Sequence, residues 1–83
     1  MERLDGNAIG GLLAEVFGRE MTLAEATCGS CGTRGVVAEV HVYERAPGAV
    51  ARCPNCEAVL LVVVERRGQF CVDLGGVAAL DLV

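Results

Sequence analysis

Two short stretches, CGSCG at residues 28–32 and CPNCE at 53–57, narrow the fold of this chain more than anything else in it. Each contains a Cys-x2-Cys pair, and 21 residues separate the pairs. A turn with two intervening residues aims both of its sulfurs at one point. Two such turns at the ends of paired strands supply four thiolates at tetrahedral corners. Cys28, Cys31, Cys53 and Cys56 are therefore the candidate ligands of a single metal ion. Zinc suits them, because it accepts soft ligands and has no redox chemistry. Gly32 follows the first pair and can take positive φ, letting amides approach the sulfurs. Glu57 holds the equivalent place after the second pair, so that knuckle departs from the usual Cys-Gly ending.

Other cysteine chemistries fit less well. A thioredoxin-like dithiol needs a βαβ setting, and the surroundings here read as β-hairpins. Structural disulfides belong to oxidising compartments. The N-terminus, MERLDGNAIG, lacks the apolar stretch of a secretory signal. The longest apolar run, AVLLVVV at 58–64, falls far short of the ~20 residues of a membrane span. A cytoplasmic protein without membrane contact is expected. Iron is the alternative metal, and rubredoxin-like electron transfer the alternative function. The chain has no Trp and only Phe17, Phe70 and Tyr43 as aromatics, so the aromatic-rich core of rubredoxins is missing and zinc is preferred.

Four thiolates around one ion leave no position for an activated water, which argues against a hydrolytic enzyme. His41, the only histidine, reads as a strand side chain on a partly exposed face beside Glu39 and Tyr43. Cys71 alternates with Phe70 and Val72 and reads as an inert, buried small hydrophobe.

At 83 residues the chain reads as one domain, 1–83, near the size at which small folds lean on a metal, a disulfide or a partner. Its 53% apolar and 22% charged residues exclude a disordered chain. The net charge of −4 disfavours nucleic acid as a partner, since such affinity comes from neutralising phosphates, and a nucleic-acid-binding zinc ribbon stands as a further alternative function. A divalent ion held by four thiolates would take the balance to about −6. Arg34, Arg45, Arg52, Arg66 and Arg67 are interspersed with Glu39, Glu44, Glu57 and Glu65, the mixture of a solvated face.

Along the chain, Ile9, Leu12, Leu13, Val16 and Phe17 form one apolar helical face, predicting a helix over 7–21. Asp5 or Asn7 can cap it, and Gly18 is a candidate stop before Met21. Residues 35–44 alternate as one strand, with Val36, Ala38, Val40 and Val42 on one face. Pro47 and Gly48 supply a turn, and 49–53 a short strand. The apolar run within 58–66 predicts a strand buried on both faces. Gly68 turns the chain back into a strand at 70–74, and the type of the terminal segment 75–83 stays open.

DGNAIGGLLAEVFGREMT at 5–22, followed by CGSCG, HVY at 41–43 and RCPNCEAVLLVVV at 52–64, resembles a family of small proteins from high-GC bacteria. That family is known only as a domain of unknown function with zinc-ribbon-like cysteines. The resemblance covers nearly the whole chain. It implies a metal-stabilised cytoplasmic domain with Cys28, Cys31, Cys53 and Cys56 as ligands, and it implies no activity.

The expected fold is a small β-rich α+β domain. It comprises a zinc ribbon of antiparallel β-hairpins with two Cys-x2-Cys knuckles, and one N-terminal amphipathic helix. The helix covers 7–21, the metal-binding β-ribbon 22–74 and the terminal segment 75–83. The expected role is a non-enzymatic zinc-binding structural or interaction module. One helix covers one side of a sheet, so a doubly apolar strand at 58–64 calls for a further cover. Either the terminal segment or a second subunit supplies it, so a homodimer or another protein partner is one expectation.

Overall fold

A computed structural model describes residues 4–45 and 48–82. The chain forms two antiparallel sheets and one short N-terminal helix. Strand β1 (Leu4–Asp5) leads into a 3-10 turn, Gly6–Ile9, and then helix α1 (Gly10–Phe17). Strands β2 (Glu25–Cys28) and β3 (Arg34–Val36) flank the first knuckle. A 3-10 turn, Val37–Glu39, precedes β4 (His41–Arg45) and β5 (Gly48–Arg52). Strand β6 (Val59–Arg66) follows the second knuckle, and β7 (Gln69–Asp73) and β8 (Val77–Asp81) end the chain. One sheet has the order β1-β4-β5-β6-β7, the other β3-β2-β8. The Arg45 side chain and Pro47, and with it part of the expected turn, lie outside the described residues.

The helix is shorter than its apolar periodicity suggests. Asp5 caps its first turn, accepting from the Asn7 N–H at 3.0 Å. The chain begins as a 3-10 turn and becomes α-helical only at Gly10. Gly18 ends it at φ 72°, its N–H returning to the Ala14 carbonyl at 2.8 Å. A left-handed glycine closes the last turn without the steric penalty any other residue meets there. The expectation that the helix runs to Met21 is thus corrected. Met21 is buried in the core all the same, reached by a loop.

The single strand expected over 35–44 is likewise two strands in different sheets. Val37 and Val40 are both buried, three residues apart, which a period of two does not allow. The 3-10 turn between them is stitched to the preceding loop by Val37 N–H to Ala24 O (2.8 Å) and Ala38 N–H to Thr22 O (2.9 Å). Those bonds lift the chain from one sheet and pass it to the other.

Ile9, Leu13, Met21, Val42 and Val63 are the largest fully buried aliphatic side chains. Val42, Ala51 and Leu61 pair across three strands on the core-facing side of the larger sheet. The terminal segment resolves as β8, paired to β2, and brings Val77 and Leu80 against the core. Two register shifts interrupt the ladders, one between Ala51 and Arg52, the other between Thr27 and Cys28. Each falls at or beside the first cysteine of a knuckle, where a bulge turns the strand end toward the other sheet.

Two further expectations change. β6 has consecutive core residues only at its start, where Leu60 and Leu61 are both buried beside the register shift; beyond them Val63 is in the core, whereas Val62 and Val64 are half-covered. Cys71 is exposed rather than buried, because β7 is an edge strand and Cys71 faces away from the core.

Candidate metal centre

The two knuckles share one backbone plan. In the first, Cys28 N–H donates to Thr33 O (2.8 Å) and Gly32 N–H to Cys28 O (3.0 Å). In the second, Cys53 N–H donates to Ala58 O and Glu57 N–H to Cys53 O, both at 2.9 Å. The residue after each second cysteine is left-handed, Gly32 at φ 79° and Glu57 at φ 65°. This tight loop turns both cysteine side chains of a pair to one side. β2 and β3 present one knuckle, β5 and β6 the other, so the centre joins the two sheets.

The structure brings Cys28, Cys31, Cys53 and Cys56 together, with all four sulfurs within 4.8 Å of one another. Cys28 Sγ to Cys56 Sγ and Cys31 Sγ to Cys53 Sγ are each 3.7 Å. Both contacts cross from one knuckle to the other. A disulfide needs about 2.05 Å, and all four cysteines are free. A tetrahedral ion with metal–sulfur bonds of about 2.3 Å sets its sulfurs about 3.8 Å apart, a close match to the observed spacing. Cys28 and Cys53 are buried, Cys31 and Cys56 exposed, so the cluster is closed toward the core and open on its outer side.

Amides converge on the sulfurs. Ser30 N–H reaches Cys28 Sγ and Asn55 N–H reaches Cys53 Sγ, each at 3.4 Å. The Asn55 side-chain amide reaches Cys31 Sγ at 3.5 Å, and Thr33 Oγ1 lies 3.1 Å from the same sulfur. These contacts stabilise thiolates. Thr33, then Asn55, hold the Cys31 thiol down at about 5, and the N–H groups of Cys31 and Ser30 lower Cys28. The Ala58 N–H also pulls Cys56 down, but desolvation and the sulfurs of Cys31, Cys28 and Cys53 outweigh it and push that thiol up to about 12. Without a cation, the last proton is therefore held tightly by its neighbours. A divalent ion at the centre relieves that repulsion, because bound thiolates are deprotonated outright.

The Cys31 thiol is an acid whose folded value is depressed. Its contribution to stability is present above the unfolded value of about 8.5 and is lost as pH falls through about 5. Metal retention is expected to fall in the same direction, since protons compete for the ligands. Metal content after dialysis at a series of pH values checks this; full retention at pH 3 would contradict it.

Glu57 is the residue that sequence reasoning flagged only as a departure. Its carboxylate lies 2.6 Å from His41 Nδ1 and accepts from the Tyr43 hydroxyl at 3.1 Å. Arg52 Nη1 donates to its carbonyl at 2.8 Å. His41 is thus a strand side chain, as expected, but its partner is Glu57 from the second knuckle. A glycine would accept φ 65° more readily, by about 1 kcal/mol. Glutamate accepts that strain and ties β4 to the knuckle. His41→Ala is expected to cost about 1 kcal/mol, and much less in a Glu57→Gly background, because the pair is partly exposed. Denaturant unfolding of the four proteins of that cycle measures the coupling; additive effects would deny the brace.

Elsewhere, Arg34 lies 2.7 Å from both Glu25 and Asp81, spanning all three strands of the smaller sheet. Among the described residues no helix is long and apolar enough to cross a membrane. No curated protein and no solved structure matches the chain. A family model does: it matches residues 1–83, and the chain belongs to the family of unknown function it describes (DUF6510).

Proposed function

We propose that this protein is a non-enzymatic module in which Cys28, Cys31, Cys53 and Cys56 hold one structural zinc ion, leaving its outer surfaces free for protein contacts. One observation carries the reading: four sulfurs from two matching knuckles, on two different sheets, lie within 4.8 Å of one another. An ion there would lock the sheets together from the end opposite the β6–β7 turn. All four donors come from the chain, so no position is left for a reacting water. Zinc is favoured over iron by the surroundings. Phe17 and Phe70 are only partly buried at the edge of an aliphatic core, and Tyr43 lies on the outer face of the larger sheet. Free thiols are kept in a reducing compartment, which supports a cytoplasmic location. Nucleic acid is poorly served by a chain of net charge −4, in which Arg34 is engaged by two carboxylates and, among the described residues, only Arg66 and Arg67 stand together, exposed, at one end of the larger sheet.

Metal analysis with a visible spectrum tests the proposal on protein expressed with both zinc and iron available. A colourless protein with one equivalent of zinc is expected. A red protein with one equivalent of iron would replace this reading with electron transfer. A metal-free protein with an intact fold would remove it altogether.

A further inference from the structure

The larger sheet has an apolar outer face that no other element among the described residues covers. Strand pairing sets Tyr43 opposite Val50 and Val50 opposite Val62, with Val64 opposite Cys71 in the next ladder position. Partners directly opposite share a face. Val50, Val62 and Val64 are half-buried, and none belongs to the core or to the residues packed against it. The helix and the terminal segment were the two elements able to shield them. Both lie on the other side: Leu12, Leu13, Leu74, Val77 and Leu80 all pack with the core-facing residues.

The two ends of this face differ in charge. Asp73 and the sulfur cluster lie toward the knuckles, where Glu57 binds Arg52 through its carbonyl and His41 through its carboxylate. Four thiolates on a divalent ion add about −2 there, a step that rests on the metal reading. At the other end, Arg66 shares the face of Val62 and Val64 by alternation, and Arg67 follows in the turn. Both arginines are exposed, and neither forms an ion pair within the described residues.

We propose that this face binds a second copy of the chain, face to face and with strands antiparallel, so that each knuckle end meets the partner's Arg66–Arg67 end. A two-fold axis in the interface plane and perpendicular to the strands does this. The other in-plane axis, along the strands, would set arginines on arginines and cluster on cluster, and like charges facing each other oppose association. Sheets pack about 10 Å apart, so the two valine stripes close over each other and exclude water. The favoured axis stacks β7 over its counterpart and brings the two Cys71 side chains near each other. The disfavoured axis puts them at opposite edges of the sheet. Because the face is small, the dimer is weak and concentration-dependent.

Sedimentation equilibrium of the metal-loaded full chain, from about 10 µM to about 1 mM, tests this. A monomer–dimer equilibrium is expected. Val62→Arg should raise the dissociation constant at least tenfold, and Arg66→Glu with Arg67→Glu should also weaken it. Both variants should keep the wild-type thermal transition and metal content, since these positions lie outside the core. A short bis-maleimide should join two copies through Cys71, the only cysteine outside the metal centre, and Cys71→Ser should prevent crosslinking while leaving the dimer intact. A monomer at every concentration overturns the proposal. A dimer indifferent to Val62→Arg places association elsewhere, such as a sheet edge, and also overturns it. A dimer that never crosslinks overturns the antiparallel arrangement. Metal measured in each sample separates loss of the dimer from failure of the metal reading.

Discussion

Replacing Cys53 with serine is expected to unfold most of the chain at room temperature. Structural zinc sites contribute apparent free energies of about 10–16 kcal/mol, coupled to folding. A small domain has a total stability of about 5–15 kcal/mol, so loss of one ligand can consume all of it. The geometry says why the effect should be global. The first knuckle belongs to the β3-β2-β8 sheet and the second to the larger sheet, so the cysteines tie two layers that share one small core. Cys53 is also fully buried, and a serine hydroxyl there would lack the sulfur's surroundings. Cys56→Ser provides the control, because Cys56 is exposed and its replacement disturbs no packing. Both variants should lose the bound metal and the cooperative thermal transition, and chelation of the wild type should do the same. Circular dichroism melts paired with metal analysis measure this. An unchanged transition in Cys56→Ser or in the chelated protein would show that the fold does not depend on the ion.

Gly76→Ala should cost about 2–4 kcal/mol, a fall in melting temperature of about 10–25 °C for a domain of this size. Gly76 lies in the turn just before β8, and a Cβ there would collide with the Val59 carbonyl oxygen. Its N–H donates to Leu60 O at 3.1 Å, and its carbonyl accepts from Gly29 N–H at 2.9 Å. One glycine therefore joins the start of β6 to the first knuckle. Pushing it away would break both bonds and draw Val77 and Leu80 off the core. The same exchange at Gly11, where a Cβ meets nothing within 4 Å, should instead stabilise helix α1 by about 0.5–1 kcal/mol. Thermal unfolding of the pair gives opposite signs if the close approach is the cause. Equal shifts would deny it.

These predictions draw unequally on what could be read from the chain. The four cysteines were legible because their spacing carries the chemistry directly. Gly32 was legible because a left-handed turn asks for glycine. Asp5 was legible as a cap and Gly18 as a stop, both being local backbone rules. Glu57 was visible only as the missing glycine. Its partners come from His41 and Tyr43, 16 and 14 residues away, and no local pattern announces such a pairing. The break at Val37 was hidden for a related reason. Val36, Ala38, Val40 and Val42 alternate convincingly, but bonds from the 22–24 loop hold a 3-10 turn in their midst. Cys71 was misread because an apolar flank says that a residue lies in a strand, not whether that strand stands at an edge.

The sequence by itself determined the chemistry of this protein: two Cys-x2-Cys turns, an apolar helix and strands rich in valine admit a metal-tied β-rich domain and little else. Spacing within a turn and periodicity along an element are local, and local geometry follows from residue type. Only the tertiary structure decided that the chain splits into two sheets, that β8 completes the smaller one, and that Val50, Val62 and Val64 of the larger one face outward while Val42 and Val63 enter the core. Those outcomes depend on which distant segments compete for the same apolar surface and the same backbone hydrogen bonds. A sequence pattern names the competitors, and packing selects among them.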